Sequence, residues 1–282
     1  MSNLQASNDS VKYDDLKHAV ETIDREIETL EILKNNLDGN LSKALDLLQN
    51  TKGRVIVTGM GKSGHIARKM AATFASTGTV SFFVHPAEAS HGDLGMISDD
   101  DVIIAISYSG ESKELSDILI YAKRHNIPLI AITRNPQSAL GKNSSLVLKL
   151  PDNGEACPLG LAPTSSTTAT IVLGDVLAVD LMERRGFSAT DFRQRHPGGK
   201  LGAILCKVSD IMHKGDDVPL LKEDAIMQDA LLVMSEKMLG CVGIVDNDGH
   251  LSGIITDGDL RRWMSPSIIT EKVSKVMTKN PK

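Results

Sequence analysis

A turn rich in glycine, with a lysine and a serine inside it, follows the first β-branched run of the chain. Segment 55–66 reads VIVTGMGKSGHI, and a helical pattern starts directly after it. Glycine lets the backbone bend sharply and bring its N–H groups close to a ligand. The N-terminus of a helix carries partial positive charge, which suits a phosphate or an enediolate oxygen. Gly61 and Ser63 are therefore candidate ligand contacts, and Lys62 would place a positive charge beside a small anionic substrate.

The spacing of Gly59, Gly61 and Gly64 also matches the dinucleotide-binding pattern G-x-G-x-x-G. That pattern requires an acidic residue at the end of the second strand, where it holds a ribose. Here the second β-rich run leads into His85 and Pro86 instead. The Walker sequence G-x-x-x-x-G-K-[ST] does not occur either. We therefore favour a small anionic substrate over a dinucleotide.

Two clusters of hydroxyl residues follow later β-rich runs. Ser107, Ser109 and Ser112 surround one glycine, and Thr167 belongs to a TSSTT run that starts at Thr164. Hydroxyl groups and backbone N–H groups at the start of a helix can hold a phosphate. Ordinary helix capping uses the same residue types. For the first cluster we favour phosphate binding, whereas for the second the two interpretations are equally good.

Three further side chains could transfer protons. Glu155 lies in the loop after the fifth β-rich run, at the same predicted sheet edge as Lys62, and is a candidate general base. His196 precedes Pro-Gly-Gly in an irregular segment, and the usual histidine pKa of about 6.5 suits proton transfer. Glu114 lies in the first turn of a predicted helix, where a negative charge stabilises the helix dipole. Its position alone therefore indicates a structural role.

His85, Glu88 and His91 form the pattern H-x-x-E-x-x-H around Pro86. Metal binding by this pattern is conceivable, but the zincin order H-E-x-x-H does not occur and the proline interrupts a regular helix. We expect no required metal and no cofactor. His91 would more naturally hydrogen-bond a sugar hydroxyl or its own loop, and an inhibitory metal contact at His91 stays open.

The elements that must position these residues alternate along the chain. Short β-rich runs separated by helical patterns predict an α/β fold with a parallel, doubly wound sheet. Ligands of such sheets bind at the carboxyl ends of the strands, which is where the candidate residues lie. The predicted strands are 55–58, 80–84, 102–107, 128–133 and about 146–150, and the predicted helices after the first strand include about 113–124 and 167–185. Two helices within 1–50 could pack on this sheet or on a neighbouring subunit.

The pattern changes after residue 205. A helix is predicted from Met227, and two short strands, 241–245 and 251–255, are joined by a turn at Asp248 and Gly249. The run VSDIM that opens at Val208 is echoed by VSKVM at Val273. This is an internal repeat whose second copy has only begun.

Composition limits the class of protein. The chain has 282 residues, a net charge of −5 and 3% aromatic residues, which argues against nucleic acid as a partner. No apolar run approaches the roughly 20 residues that span a bilayer, and residues 1–10 do not resemble a signal peptide. Cys157, Cys206 and Cys241 form no C-x-x-C pair, which indicates a reducing compartment. We expect a soluble, cytoplasmic protein with no membrane partner.

Several of these runs together resemble a known family. They are GMGKSGH at 59–65, HPAEASHGDLG at 85–95, SGES at 109–112, EACPLGLAPTSST at 155–167 and HPGG at 196–199. They are similar to the sugar isomerase (SIS) domain of the D-arabinose-5-phosphate isomerase family. The repeat after Val208, with TDGD at 256–259, resembles a CBS pair. The resemblance implies N-terminal helices at 1–50, a flavodoxin/Rossmann-like SIS domain at 51–205, and a CBS-type α/β domain at 206–282 with its second copy only begun.

The resemblance implies an activity and its residues. The family interconverts D-ribulose 5-phosphate and D-arabinose 5-phosphate, the first step towards Kdo and lipopolysaccharide, and is typically tetrameric. Lys62, Glu114, Glu155 and His196 match its four catalytic positions. A nucleotide at the CBS unit is a possible partner, although the shortened second copy puts it in doubt.

An enediol route needs a phosphate anchor, a base for the C1/C2 proton, a partner for the hydroxyl proton and positive charge beside the enediolate. The proposed anchors are Ser63, Ser107, Ser109, Ser112 and Thr167. Either Glu155 or His196 could be the C1/C2 base, and the sequence does not choose between them. Two alternatives stay open: an SIS isomerase for another phosphosugar, and a module that senses a sugar phosphate without turning it over.

Overall fold

The structure, a computed structural model, describes residues 14–196 and 208–281. The chain divides into two compact units, Met1–Leu205 and Cys206–Lys282, and each is described by itself.

The first unit is built on a parallel sheet of five strands in the order β2-β1-β3-β4-β5. The strands are β1 (Val55–Gly59), β2 (Ser81–Phe83), β3 (Val102–Ile106), β4 (Leu129–Thr133) and β5 (Leu146–Lys149). The strands β1, β3 and β4 are buried along their whole length, which explains their continuous apolar sequences. This order reverses between β1 and β3, and their carboxyl ends form the switch point at which such sheets bind ligands. The predicted α/β fold with a doubly wound parallel sheet is confirmed.

Helices cover both faces of this sheet. They are α1 (Asp15–Asn35), α2 (Gly39–Asn50), α3 (Gly61–Ser76), α4 (Pro86–Ala89), α5 (Ser116–Arg124), α6 (Ala139–Lys142), α7 (Ser165–Arg184) and α8 (Ala189–Arg195). On one face, Val57 of β1 belongs to a buried cluster with Met70 of α3 and Leu177 of α7. On the other, Ile56 packs in a cluster with Ile118 of α5. Alternate residues of one strand therefore enter two separate cores.

The observed elements differ from the predicted ones mainly at their ends. The predicted helix over 113–124 begins as a 3₁₀ turn, Lys113–Leu115, and continues as α5. From the sequence, Pro86 was expected to interrupt a helix. In the structure it occupies the first position of the single-turn helix α4. Proline is tolerated there because its missing N–H would have no partner within the helix.

Helix α7 is long and apolar enough to cross a membrane by length and composition, contrary to the expectation from the sequence. Half of its apolar window is buried inside the unit, and it packs against α1, α2 and α3. These contacts are those of a core helix.

The two N-terminal helices pack on their own unit. α1 contacts α7, and α2 contacts both α7 and β5. The outer side of α1 nevertheless exposes Leu16, Val20, Ile23 and Ile27. The predicted alternative, packing on a neighbouring subunit, stays open for that side.

The second unit contains a four-stranded sheet in the order β6-β7-β8-β9. Its strands are β6 (Leu220–Lys222), β7 (Cys241–Val245), β8 (Leu251–Thr256) and β9 (Thr278–Lys279), and its longest helix is α10 (Met227–Lys237). Both copies of the repeated run form short helices, α9 (Val208–Ile211) and α12 (Val273–Val276), and α11 (Asp257–Arg262) follows β8. The repeat seen in the sequence is thus a repeat of structure.

Candidate active site

A cavity of ≈ 380 Å³ lies beside the carboxyl ends of the strands of the first unit. Its walls come from the loops after β3, β4 and β5 and from the starts of α3 and α7. The described lining residues are Ser63, Tyr108, Arg134, Asp152, Gly154, Glu155, Gly160, Leu161, Pro163, Ser166, Thr167 and Thr170. Ser63, Glu155 and Thr167 of the predicted site therefore share one cavity.

A larger cavity, of ≈ 630 Å³, opens at the opposite edge of the sheet, beside Val102 and Leu146 at the amino ends of β3 and β5. Its charged lining residues are lysines and aspartates, and none of the predicted site residues lies there. Because parallel sheets bind ligands at their carboxyl edge, the smaller cavity is the candidate site.

Two positions of the turn after β1 require glycine, one because of its backbone conformation and one because of a close backbone contact. Gly61 has a φ of +57° and begins α3, a conformation that L side chains rarely adopt. A Cβ atom on Gly64 would lie 2.6 Å from the carbonyl oxygen of Gly59, so glycine lets α3 approach β1 closely. Ser63 then lines the cavity, whereas Lys62 is exposed in the first turn of α3 and is not among the lining residues.

The serine loop after β3 is folded on its own hydroxyl groups. The Ser107 hydroxyl oxygen is 2.8 Å from that of Ser112 and accepts a hydrogen bond from the backbone N–H of Gly110. The Ser109 hydroxyl accepts from the N–H of Glu111. These bonds gather the three predicted anchors in one turn, and Tyr108 of the same turn lines the cavity.

Glu155 is held by the start of α7. Its Oε2 atom accepts hydrogen bonds from the backbone N–H groups of Thr164 and Ser166, over 2.8 and 3.1 Å, and from the Thr164 hydroxyl over 3.2 Å. Burial acts to raise the pKa of Glu155, but the hydrogen bonds from Ser166 and Thr164 outweigh it, so the pKa lies below its usual 4.5. Glu155 is therefore a carboxylate at neutral pH and caps the N-terminus of α7.

This arrangement also bears on the hydroxyl run at the start of α7. The Thr164 side chain makes no capping hydrogen bond of its own, because Glu155 takes that place. Thr167 donates its hydroxyl to the Thr164 carbonyl oxygen over 2.7 Å. The Ser165 hydroxyl is buried and has no hydrogen-bond partner among the described residues. Capping alone therefore does not account for these hydroxyl groups.

Among the lining residues that were not predicted from the sequence, Tyr108, Arg134 and Asp152 carry the ionisable side chains. An Nη1 group of Arg134 donates to Asp152 over 2.6 Å, and the guanidinium carbon lies 5.1 Å from the centre of the Tyr108 ring. Burial and then the charges of Asp152 and Glu155 raise the pKa of Tyr108 above its usual 10.0, so Tyr108 is a neutral phenol. In the sequence, the one feature that marks Tyr108, Arg134 and Asp152 is that each lies shortly after a strand.

Eight predicted site residues do not line this cavity: Gly61, Lys62, His91, Ser107, Ser109, Ser112, Glu114 and His196. Glu114 is exposed in the 3₁₀ turn before α5, and His91 is exposed after α4. His196 ends α8, where its ring stacks on Phe192 at 3.9 Å and its Nδ1 atom lies 2.9 Å from the Phe192 carbonyl oxygen. A carbonyl oxygen only accepts, so Nδ1 carries the proton in this hydrogen bond. The Pro-Gly-Gly that follows lies outside the described residues.

The pattern H-x-x-E-x-x-H does not form a cluster of potential metal ligands in the described part of the chain. Among described side chains, the group of potential ligands within 4.8 Å of one another is Asp246, Asp248 and His250, on the exposed hairpin of the second unit. His85, Glu88 and His91 are not gathered in this way. The His85 Nδ1 atom is instead buried without a hydrogen-bond partner in the described part of the chain.

Comparison with known proteins agrees with this architecture. Residues 47–180 match the SIS domain family and residues 208–266 the CBS domain family. The arabinose 5-phosphate isomerase KdsD of Francisella tularensis is 53% identical over 273 residues, which span 95% of this chain and 83% of that protein. KdsD of Escherichia coli K12 is 52% identical over 250 residues, or 88% of this chain and 76% of that protein.

A solved structure of Escherichia coli CFT073 c3406 in complex with arabinose 5-phosphate superposes with a TM-score of 0.63 and is 43% identical, over 65% of this chain and 98% of that one. The sugar isomerase domain of the RpiR transcription factor from Sphaerobacter thermophilus, over 64% of this chain and 96% of that one, has a TM-score of 0.54 at 18% identity, which shows a shared fold alone. The chain therefore belongs to the arabinose 5-phosphate isomerase family, with an SIS domain followed by a CBS domain.

Proposed function

We propose that this protein interconverts D-ribulose 5-phosphate and D-arabinose 5-phosphate, and that the reaction takes place in the cavity around Glu155. The observation that carries the proposal is the 53% identity to an arabinose 5-phosphate isomerase over 95% of the chain. The site supports it, because an ionised carboxylate and several hydroxyl groups face one cavity at the carboxyl edge of the sheet.

Glu155 is suited to move the proton between C1 and C2. Its Oε2 atom is occupied by the start of α7, which fixes the carboxylate and leaves Oε1 to face a substrate. A positioned carboxylate of this kind contributes about 10²- to 10⁴-fold to a proton transfer. The same hydrogen bonds lower its pKa, so it is ready as a base without a prior loss of a proton.

The phosphate would be held by hydroxyl and backbone N–H groups. Ser63 and Thr167 line the cavity, and the serine loop 107–112 adjoins it through Tyr108. Both α3 and α7 begin at this edge, and the N-termini of long helices favour an anion.

The remaining roles follow from the family. Lys62 would stabilise the negative charge of the enediolate, and Glu114 and His196 would transfer hydroxyl protons or open the sugar ring. His91 would contact a sugar hydroxyl. Because these four residues do not line the cavity within one chain, the proposal includes a homotetramer in which a neighbouring subunit completes the site.

The pathway and regulatory roles complete the proposal. The product would enter Kdo and lipopolysaccharide synthesis in the cytoplasm, and the CBS unit would be a site for a nucleotide. No redox cofactor or metal has a role in this mechanism.

The test is direct. Full-length protein is incubated with D-ribulose 5-phosphate, and the aldose product is identified by chromatography, with a hexulose 6-phosphate as a second substrate. We expect arabinose 5-phosphate as the product, and loss of turnover in Glu155→Gln. Turnover of the hexulose phosphate alone would instead indicate another phosphosugar isomerase. Binding of either sugar without turnover would indicate a sensing module.

A further inference from the structure

Arg134 provides the positive charge in a cavity that is otherwise lined by neutral and acidic groups. Of the cavity-lining residues that the structure describes, Arg134 is the one with a cationic side chain, and Asp152 and Glu155 are acidic. A sugar phosphate carries nearly two negative charges at neutral pH. Such a ligand would be repelled by the two carboxylates unless a cation stood beside it.

The guanidinium group of Arg134 is held in one orientation. One face of the group lies over the Tyr108 ring, at 5.1 Å from its centre, and an Nη1 group donates to Asp152 Oδ1 over 2.6 Å. The backbone is fixed as well, because the N–H of Arg134 donates to the Tyr108 carbonyl oxygen over 3.0 Å. An oriented guanidinium presents its remaining N–H groups in a planar fork that matches a phosphate.

This arginine also has unused hydrogen-bonding capacity. Its Nε atom is buried and has no hydrogen-bond partner among the described residues, although a charged N–H group without a partner is costly. The side chain as a whole is 41% exposed, so its tip can reach a ligand. An oxygen atom of a ligand could accept hydrogen bonds from guanidinium N–H groups that have no acceptor among the described residues.

Tyr108 connects this arginine to the serine loop. It lies between Ser107 and Ser109, and its own carbonyl oxygen accepts from the Arg134 N–H and the Thr133 hydroxyl. The end of β4 is therefore hydrogen-bonded to the loop that is proposed to hold the phosphate. A phosphate held by that loop would therefore lie close to Arg134.

We propose that Arg134 binds the phosphate group of the sugar phosphate substrate, with Asp152 and Tyr108 as the residues that orient it. The proposal rests on the proposed function for the identity of the substrate. It extends that function, because it assigns a cationic contact with the phosphate to a residue that is not among the four family positions. Lys62 would then act on the enediolate alone.

A structural role is the alternative. The Arg134–Asp152 pair joins the end of β4 to the loop that precedes Glu155, and it could stabilise that loop without touching a ligand. The two roles differ in one respect: a loop clamp would change turnover and stability, whereas a phosphate contact would change the affinity for phosphate itself.

The experiment compares four full-length proteins: native, Arg134→Gln, Arg134→Lys and, as a matched control, Arg184→Gln. Arg184 also pairs with an aspartate, Asp46, but lies at the other end of α7. Titration calorimetry measures binding of arabinose 5-phosphate, inorganic phosphate and unphosphorylated arabinose. Steady-state kinetics with ribulose 5-phosphate gives kcat and KM for the same proteins.

Loss of one charge-assisted hydrogen bond should weaken binding of both phosphate ligands about tenfold in Arg134→Gln. KM should rise by a similar factor with little change in kcat, and Arg134→Lys should be intermediate, because lysine keeps the charge but not the fork. Arg184→Gln should resemble the native protein, and binding of unphosphorylated arabinose should not change in any variant.

Equal phosphate affinity in native protein and Arg134→Gln would overturn the proposal, as would a fall in kcat at unchanged phosphate affinity. Failure of the native protein to bind either phosphate ligand would overturn it too. Native protein that binds phosphate but does not isomerise ribulose 5-phosphate would instead refute the proposed function, and the binding comparison would still decide the role of Arg134.

Discussion

Replacement of Glu155 by glutamine separates two roles that the structure gives to one carboxylate. Glu155 caps α7 through Thr164 and Ser166, and it is also the candidate base for the C1/C2 proton. Glutamine keeps an oxygen that can accept the capping hydrogen bonds but cannot take a proton. Alanine removes both functions, so the two substitutions together distinguish the roles.

The expected effects differ in size. Loss of a helix cap costs about 1 kcal/mol, with a range of roughly 0.5–2, so Glu155→Ala should lower the free energy of unfolding by about that amount. Glu155→Gln should lower it by less, because neutral hydrogen bonds remain. If the carboxylate is the base, kcat should fall about 10²- to 10⁴-fold in both variants. Activity and stability would therefore not change in proportion.

The pH profile gives a second, independent measure. Because hydrogen bonds hold the pKa of Glu155 below 4.5, a Glu155 base stays ionised until the pH falls below that value. A histidine base, with its usual pKa of about 6.5, would bend the profile about two pH units higher. The profile is measured as kcat at saturating substrate, since the second pKa of a phosphate monoester is about 6 and affects binding.

The assays are chemical denaturation and initial-rate kinetics on native protein, both Glu155 variants and Asp38→Asn. Asp38 is a matched control, because it is a carboxylate that caps α2 by accepting from Asn40. The reasoning would be refuted if Glu155→Gln kept kcat within about tenfold of the native rate while Glu155→Ala lost stability. Glu155 would then be a cap, and His196 would remain as the candidate base.

Three further predictions concern the groups that support the site and the second unit. Burial acts to raise the pKa of Asp259, but hydrogen bonds from Thr256, Arg262 and Thr278 outweigh it and lower the pKa from 3.8 to about 2. The stability that this carboxylate contributes is complete above pH 3.8 and is lost as the pH falls towards 2. Asp259→Asn should therefore lower the free energy of unfolding by about 1 kcal/mol at pH 7 and by progressively less below pH 3.8, measured by denaturation at each pH. Gly110 has a φ of +74°, and a Cβ atom there would overlap the Ser138 side chain, so Gly110→Ala should cost about 1–3 kcal/mol and raise KM, measured by thermal unfolding and kinetics. Thr29→Val removes the hydrogen bond that Thr29 accepts from Asn153. It should lower kcat about threefold to tenfold, which corresponds to the net free energy of one hydrogen bond. Thr29→Ser keeps the hydroxyl and should restore kcat.

The sequence predicted those parts of the fold that depend on short-range pattern. The β-branched runs predicted each strand of the five-stranded sheet to within two residues. In β1, β3 and β4 the signal is strongest, because strands covered on both faces must be apolar throughout. The serine loop and the glycine turn were recognisable because special backbone geometry limits the residue types there. Strand order was not predictable from these patterns, since it depends on contacts between distant segments.

The site was predictable only in part, for the same reason. Glu155 could be placed at the sheet edge, but the bonds from Thr164 and Ser166 that fix its charge cross an irregular loop with no periodic pattern. Arg134 and Asp152 read as surface residues, because a charged side chain in a loop usually is one. Lys62 and His196 match the family, yet nothing local in the sequence indicates that they lie outside the cavity of their own chain.

The N-terminal helix contributes to the site in a way that neither sequence alternative contained. The side of α1 that faces its own unit carries Thr29, which is 2% exposed and accepts a hydrogen bond from Asn153 over 2.9 Å. Three residues before it, Glu26 accepts from the hydroxyl of Thr168 over 2.9 Å. Asn153 and Thr168 lie on the two sides of Glu155 and its cap, so α1 ties together the segments that orient the carboxylate. Because the opposite side of α1 is apolar and exposed, a subunit that packed there would stabilise the same helix, and assembly would then also favour the geometry of Glu155.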